Sequence, residues 1–207
     1  TKPVTPADGD YLLRETFDQC TGTGGNSGGF NGTIASAEFI PDVEGWSSSK
    51  AYGGDQCARF GNSTVPGAVT SPSFTAAADT MTLSFRAAGW DAKNDNTALL
   101  ISINGNGKFV DSQSKEESLT MTKGAWTTYT LRFTATGTLS ISFEPSKRFF
   151  LDDVTVTRPV NTAVSVIEAR ATHTTKGVFS LAGQYLGTST RSLPRGIYIV
   201  DGKKVVK

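Results

Sequence analysis

The run Thr80-Met-Thr-Leu-Ser-Phe-Arg-Ala87 sets the class of this protein. Met81, Leu83, Phe85 and Ala87 fall on one side of an extended chain, and Thr80, Thr82, Ser84 and Arg86 on the other, because successive strand side chains point to opposite faces. Such a segment buries one face and wets the other. Outward from it the same alternation recurs in Leu99, Ile101 and Ile103, in Tyr129, Leu131 and Phe133, and in Leu139, Ile141 and Phe143. Each run is bounded by Gly, Asn or Asp, as half-buried strands are. They are expected to stack as facing antiparallel sheets, with Thr136-Gly137-Thr138 as a tight hairpin between the last two. No apolar period of 3.6 residues is long enough for a helix, and β-branched and aromatic residues dominate the patterned segments. The class is all-β.

The composition agrees. The chain has 207 residues, 37% of them hydrophobic, with 22 glycines, which gives room for one or two domains of many short strands and turns. A formal net charge of +1 indicates neither a nucleic-acid surface nor a polyanion-binding membrane patch. The single histidine, His173, removes most zinc sites and most histidine-based catalysis. No run approaches the roughly 18 to 20 apolar residues of a membrane helix. No charged-then-apolar leader opens the chain, which therefore reads as mature or trimmed.

Residues 1–10 read as a lead-in, 11–158 as a β-sandwich, 159–164 as a linker and 165–207 as a small antiparallel β domain. The last boundary coincides with a shift in charge: from residue 160 onward seven basic side chains face two acidic ones. Asp201-Gly202 is suited to a type I′ hairpin turn in the small domain. Residues 18–37 and 88–97 are long polar loops, where binding usually sits.

The adjacent acids Asp152 and Asp153 carry the most chemical information. In regular alternation Phe150, Asp152, Val154 and Val156 share one face, and Leu151, Asp153 and Thr155 the other, so one carboxylate points toward apolar neighbours. An inward carboxylate needs hydrogen bonds, an ion-pair partner or a cation. Two readings stand: the acids cap strand ends or pair with Arg14 and Arg148, or they hold a structural calcium with Glu15 and Asp18 from the first strand. Sugar recognition needs flat rings beside amides and carboxylates. Trp46, Tyr52, Trp90, Asp91, Asn94 and Asn96 form the candidate ligand set, weighed against Trp90 as a cover of the core. Trp126 reads as a packing residue. Cys20 and Cys57 either close one bridge or remain buried thiols. Paired carboxylates around a cleft are the one hydrolytic scheme left open, and the protein is expected not to be an enzyme.

Several segments in order carry a resemblance: Glu15-Thr-Phe-Asp18, Trp46, Cys57-Ala-Arg-Phe-Gly61, Thr70-Ser-Pro-Ser-Phe74, Thr82-Leu-Ser-Phe-Arg86 and Phe150-Leu-Asp-Asp-Val154. Residues 11–157 resemble the jelly-roll cleaved-adhesin or choice-of-anchor modules of Bacteroidetes surface proteins, relatives of galactose-binding-like carbohydrate-binding modules. That resemblance implies a calcium between the first and last strands, at Glu15, Asp18, Asp152 and Asp153. Residues 165–207, with Phe179-Ser-Leu-Ala-Gly-Gln184 and Leu193-Pro-Arg-Gly-Ile-Tyr-Ile-Val-Asp-Gly-Lys-Lys-Val205, are similar to type IX sorting domains, though shorter. They imply export to the cell surface or the medium, a setting that suits a Cys20–Cys57 bridge. The expectation is a non-enzymatic, monomeric jelly-roll module binding glycan, with protein adhesion as the alternative.

Overall fold

The computed structural model describes residues 10–32, 37–159 and 177–207. The chain divides into two compact units, residues 1–161 and 162–207. His173, most of the lead-in and nearly all of the expected linker lie outside the described residues.

The larger unit is built on four long strands. They are β6 (Phe74–Gly89), β7 (Ala98–Phe109), β9 (Thr127–Pro145) and β10 (Phe149–Thr157), numbered within a chain order that begins with β1 (Tyr11–Glu15). β6 runs between β9 and β10, and β7 lies along the other edge of β9. The free edge of β10 is taken in tandem by β4 (Ala58–Phe60) and β1, so Glu15 stands opposite Val154 and Leu13 opposite Val156. The first and last strands are therefore neighbours, as expected. β3 (Ala51–Gly53) extends β4, β5 (Val69–Thr70) meets the end of β9, β2 (Ser47–Ser48) pairs with β5, and β8 (Glu116–Thr120) pairs with β7. All pairings between these named strands are antiparallel, and the sheet rolls over itself into a jelly-roll sandwich.

Alternation places the core where the sequence indicates. Met81, Leu83, Phe85, Leu99, Ile101, Phe133, Ile141 and Phe143 are buried in one cluster with Phe60, Phe149, Leu151 and Val154. Each such side chain contributes about 1.5–3 kcal/mol by leaving water. One local expectation fails: Gly137 is not a hairpin. β9 continues through it without a break, with Gly137 at φ +74°. Opposite, β6 shifts register between Ala77 and Thr80, and β7 between Asn104 and Asn106. Two neighbouring strands pair through this point, so the glycine bends a continuous strand, as bulges do.

The smaller unit has four antiparallel strands in the order β12 (Tyr185–Gly187), β11 (Val178–Phe179), β13 (Ile197–Val200) and β14 (Lys203–Val206). Asp201 and Gly202, at φ +48° and +78°, make the tight turn from β13 to β14, as their pairing in the sequence predicts. Val178 and Tyr198 are its buried apolar residues.

Candidate functional site

Glu15 is fully buried beside the core. Oε1 accepts the backbone N–H groups of Phe17 (2.8 Å) and Asp42 (2.9 Å). Oε2 accepts that of Val43 (3.0 Å) and the indole N–H of Trp46 (2.9 Å). Phe17, at φ +53°, turns the chain over the carboxylate, a conformation uncommon outside glycine. Burial pushes the Glu15 carboxyl above its ordinary value, although all four donors favour the charged form. Trp46 is thereby committed: its N–H serves Glu15 and its ring packs on Phe17 at 5.3 Å between centroids.

The neighbouring acids on β10 do not follow simple alternation. The register with β6 shifts between Asp152 and Thr155, and Asp153 adopts φ +50°. The bulge resets the phase: Leu151, Val154 and Val156 enter the main core, while Phe150 and Asp152 face the outer side of the sheet. Asp152 remains buried, because the glycine-rich loop lies over it. Its Oδ2 accepts from Arg86 Nη2 (2.8 Å) and Asn26 Nδ2 (3.0 Å), and Oδ1 from the N–H of Asp153 (2.9 Å). Exposed Asp153 lies 3.4 Å from Arg86 Nε. Burial, reinforced by the charge of Asp153, pushes Asp152 up to about 6 against the pull of Asn26 and Arg86. The expected partners were Arg14 and Arg148. Arg14 instead lies over the Tyr11 ring, and Arg148 pairs with Asp95 at 2.9 Å.

The four acids do not fit calcium. A calcium ion takes six to eight oxygens with open lone pairs. The four acceptor positions of Glu15 are filled by N–H donors, and Asp152 is held by a guanidinium and two N–H groups. Asp18 is exposed and gives its backbone N–H to Asp42. Among the described residues no three metal-ligating side chains converge. The charge that balances Asp152 is Arg86.

The cysteines do not form a bridge; both are free and buried. Their backbones are adjacent, with the N–H of Gln56 donating to the Cys20 carbonyl at 3.1 Å, yet their side chains enter different clusters. Cys20 joins the main core, and Cys57 joins a satellite cluster of Phe30, Ala88, Trp90 and Phe150 on the outer side of the sheet. Gly25 closes over that cluster: at φ +73°, a Cβ there would meet Cys57 Sγ at 2.3 Å. Burial pushes the Cys57 thiol up to about 12.

Of the candidate sugar contacts, the structure brings Tyr52 and Trp90 together on the outer face and leaves Trp46 apart. Trp90 is not an open platform. It is 3% exposed, stacked on Phe150 at 5.8 Å and 2° on one side and covered by Arg148 at 4.2 Å. A tryptophan at a strand end here covers apolar neighbours. Between Trp90 and half-buried Tyr52 lies Arg59, its guanidinium 4.4 Å from the Tyr52 ring and 5.7 Å from that of Trp90. Asp91, Asn94 and Asn96 are exposed on the following loop. Asp91 accepts from Asn31, and Asn96 Oδ1 caps the N–H of Ala98. Arg59 and Arg86 were not singled out from the sequence. The alternation that puts both on the outer face was legible; their ring and carboxylate partners were not.

On the same face a groove of about 370 Å³ opens among Tyr11, Arg14, Arg86, Thr128, Asp153 and Thr155. At its side Arg86 lies over the Trp126 ring at 4.7 Å, and Trp126 packs on Phe30 and Phe150 as expected for a packing residue. A second hollow of about 420 Å³, lined by Lys108, Gln113, Lys115 and Thr134 among others, offers amines, amides and hydroxyls without a ring.

No protein-family model matches the chain, and no curated protein matches it. Among solved structures it is similar to the CBM22-1 xylan-binding domain of Paenibacillus barcinonensis Xyn10C, with 12% identity over 72% of this chain and 94% of that one and a TM-score of 0.43. It is similar also to the K3 cleaved adhesin domain of Lys-gingipain from Porphyromonas gingivalis, with 15% identity over 71% and 98% and a TM-score of 0.43.

Proposed function

We propose that the larger unit is a non-enzymatic carbohydrate-binding module of a secreted or cell-surface protein, with the outer face of the β3–β4–β10–β6–β9 layer as its binding side. The observation that carries this reading is the groove on that face. Arg14 and Arg86 lie over Tyr11 and Trp126, and Thr128, Thr155 and Asp153 supply hydroxyls and a carboxylate beside them. Rings and guanidinium planes offer apolar area to sugar C–H groups, while the polar groups satisfy hydroxyls. Glycosidic hydrolysis asks for two carboxylates about 5–10 Å apart across a cleft. Here Asp153 is ion-paired with Arg86, and Asp152 is buried beneath it. The alternative, docking on a protein through an apolar patch, has less support: Ile40 is the large exposed apolar residue of the larger unit among those described. In this reading the chain works outside the cell, the role that the resemblance of residues 165–207 implies.

The test is a glycan array on the full chain, followed by calorimetry with the best ligand. Arg14→Ala and Thr128→Val, both on the rim, are expected to weaken binding about tenfold or more, since each removes one or more of a few placed polar contacts worth about 1.4 kcal/mol per tenfold. Absence of binding to any glycan would overturn the proposal.

A further inference from the structure

Arg59 is an anomaly of charge. The residue is 6% exposed, its Nε is buried without a partner, and no described carboxylate lies within ion-pair distance of it. A guanidinium cannot shed its proton, and a buried cation left without an anion is costly. The Tyr52 and Trp90 rings compensate in part by facing it. A ring face, however, satisfies the cation without using its in-plane N–H donors. A second guanidinium, Arg148, lies over Trp90 and has one carboxylate partner, Asp95 at 2.9 Å. The cluster therefore holds two cations and one anion, and is short of one negative charge. Burial depresses the Arg59 guanidinium below its ordinary value, and the positive charge of Arg148 acts in the same direction.

The support beneath the cluster is rigid. Arg59 lies opposite Phe150 on one side and Tyr52 on the other in a paired sheet, and Trp90 is stacked on Phe150. A fork of N–H donors held by packed neighbours suits bidentate recognition of an oxyanion. Asn94 and Asp91, the latter accepting from Asn31, are exposed on the loop that follows Trp90.

We infer that Arg59, flanked by Tyr52 and Arg148, is the anion subsite of this module, and that its ligand is an acidic glycan presenting one negative group, a uronate carboxylate or a sulfate ester. This inference rests on the carbohydrate-binding reading and specifies its substrate class. It also explains why an uncompensated guanidinium stands on this face: the missing anion belongs to the ligand.

The test measures binding of the full chain to polygalacturonate, alginate and heparan sulfate, each beside its methyl-esterified or desulfated form. The wild type is expected to prefer one acidic polymer over its neutralised form by tenfold or more. Preference for the esterifiable polymers identifies a carboxylate, and preference for the sulfated one a sulfate. Arg59→Met is expected to abolish the preference while holding or raising the melting temperature, because it removes a buried unpaired charge. If that variant does not fold, Arg59→Lys, which keeps the charge and loses the fork, is expected to reduce the preference at least threefold. Equal binding of acidic and neutralised forms, or full preference in the Arg59 variant that folds, would overturn the anion subsite and leave the glycan reading standing. Failure to bind any polymer, acidic or neutral, would remove both.

Discussion

Glu15→Gln isolates the network that joins β1 to the loop ahead of β2. The wild-type carboxylate takes four N–H donors at 2.8–3.0 Å, two on each oxygen. A glutamine has one oxygen, so whichever way the amide turns, two buried donors face an NH₂ group. Each unsatisfied buried donor costs about 1–3 kcal/mol, so two cost about 2–6 kcal/mol, and removal of a desolvated charge returns part of that. The expected loss is therefore about 3 kcal/mol, or on the order of 10 °C in melting temperature for a unit of this size. Trp46→Phe, which keeps the ring and withdraws a single donor, is expected to cost about 1 kcal/mol. Urea unfolding followed by tryptophan fluorescence measures both. The three tryptophans, Trp46, Trp90 and Trp126, all lie in the larger unit, so the signal reports that unit alone. A loss below about 1 kcal/mol for Glu15→Gln would show that the four contacts do not act as a saturated acceptor set.

The same saturation predicts that calcium and a chelator leave the melting temperature unchanged, and a calcium-dependent rise would restore the ion to this site. Asp152, pushed up to about 6 in the folded protein, binds a proton between pH 4 and 6 that the unfolded chain has released. Stability should therefore fall as pH rises through that window, by at most about 3 kcal/mol. Asp152→Asn should remove most of this slope in unfolding curves taken from pH 4 to 7, with buried Glu15, also raised, supplying the remainder. Trp90→Ala is expected to cost about 3–5 kcal/mol as a core truncation, read by the same denaturation assay; an unchanged stability would return Trp90 to the binding surface. Cys20 and Cys57 are expected to resist a thiol reagent until the larger unit unfolds, and mass spectrometry of the native protein should find two free thiols.

The strand interior was legible residue by residue. In β6 the alternation of Met81, Leu83 and Phe85 with Thr82, Ser84 and Arg86 names the buried face without any knowledge of its partners, because a period of two is a property of the extended chain itself. The Asp201-Gly202 turn is local in the same sense, since its backbone angles belong to two residues. Tertiary structure decided everything that depends on what lies opposite. Asp153 at φ +50° shifts the phase of β10, so Asp152 meets Arg86 and Asn26, residues 66 and 126 positions away in sequence. Cys20 and Cys57 share backbone neighbours while their thiols occupy different clusters, which no spacing can foretell. Arg59 is an ordinary outward arginine in sequence, and becomes a buried cation only because Tyr52 and Trp90 are folded onto it from both sides. Periodicity reports which way a side chain points. The partner it finds is set by chain closure over long distances, where bulges and covering loops rearrange faces that the local pattern had already assigned.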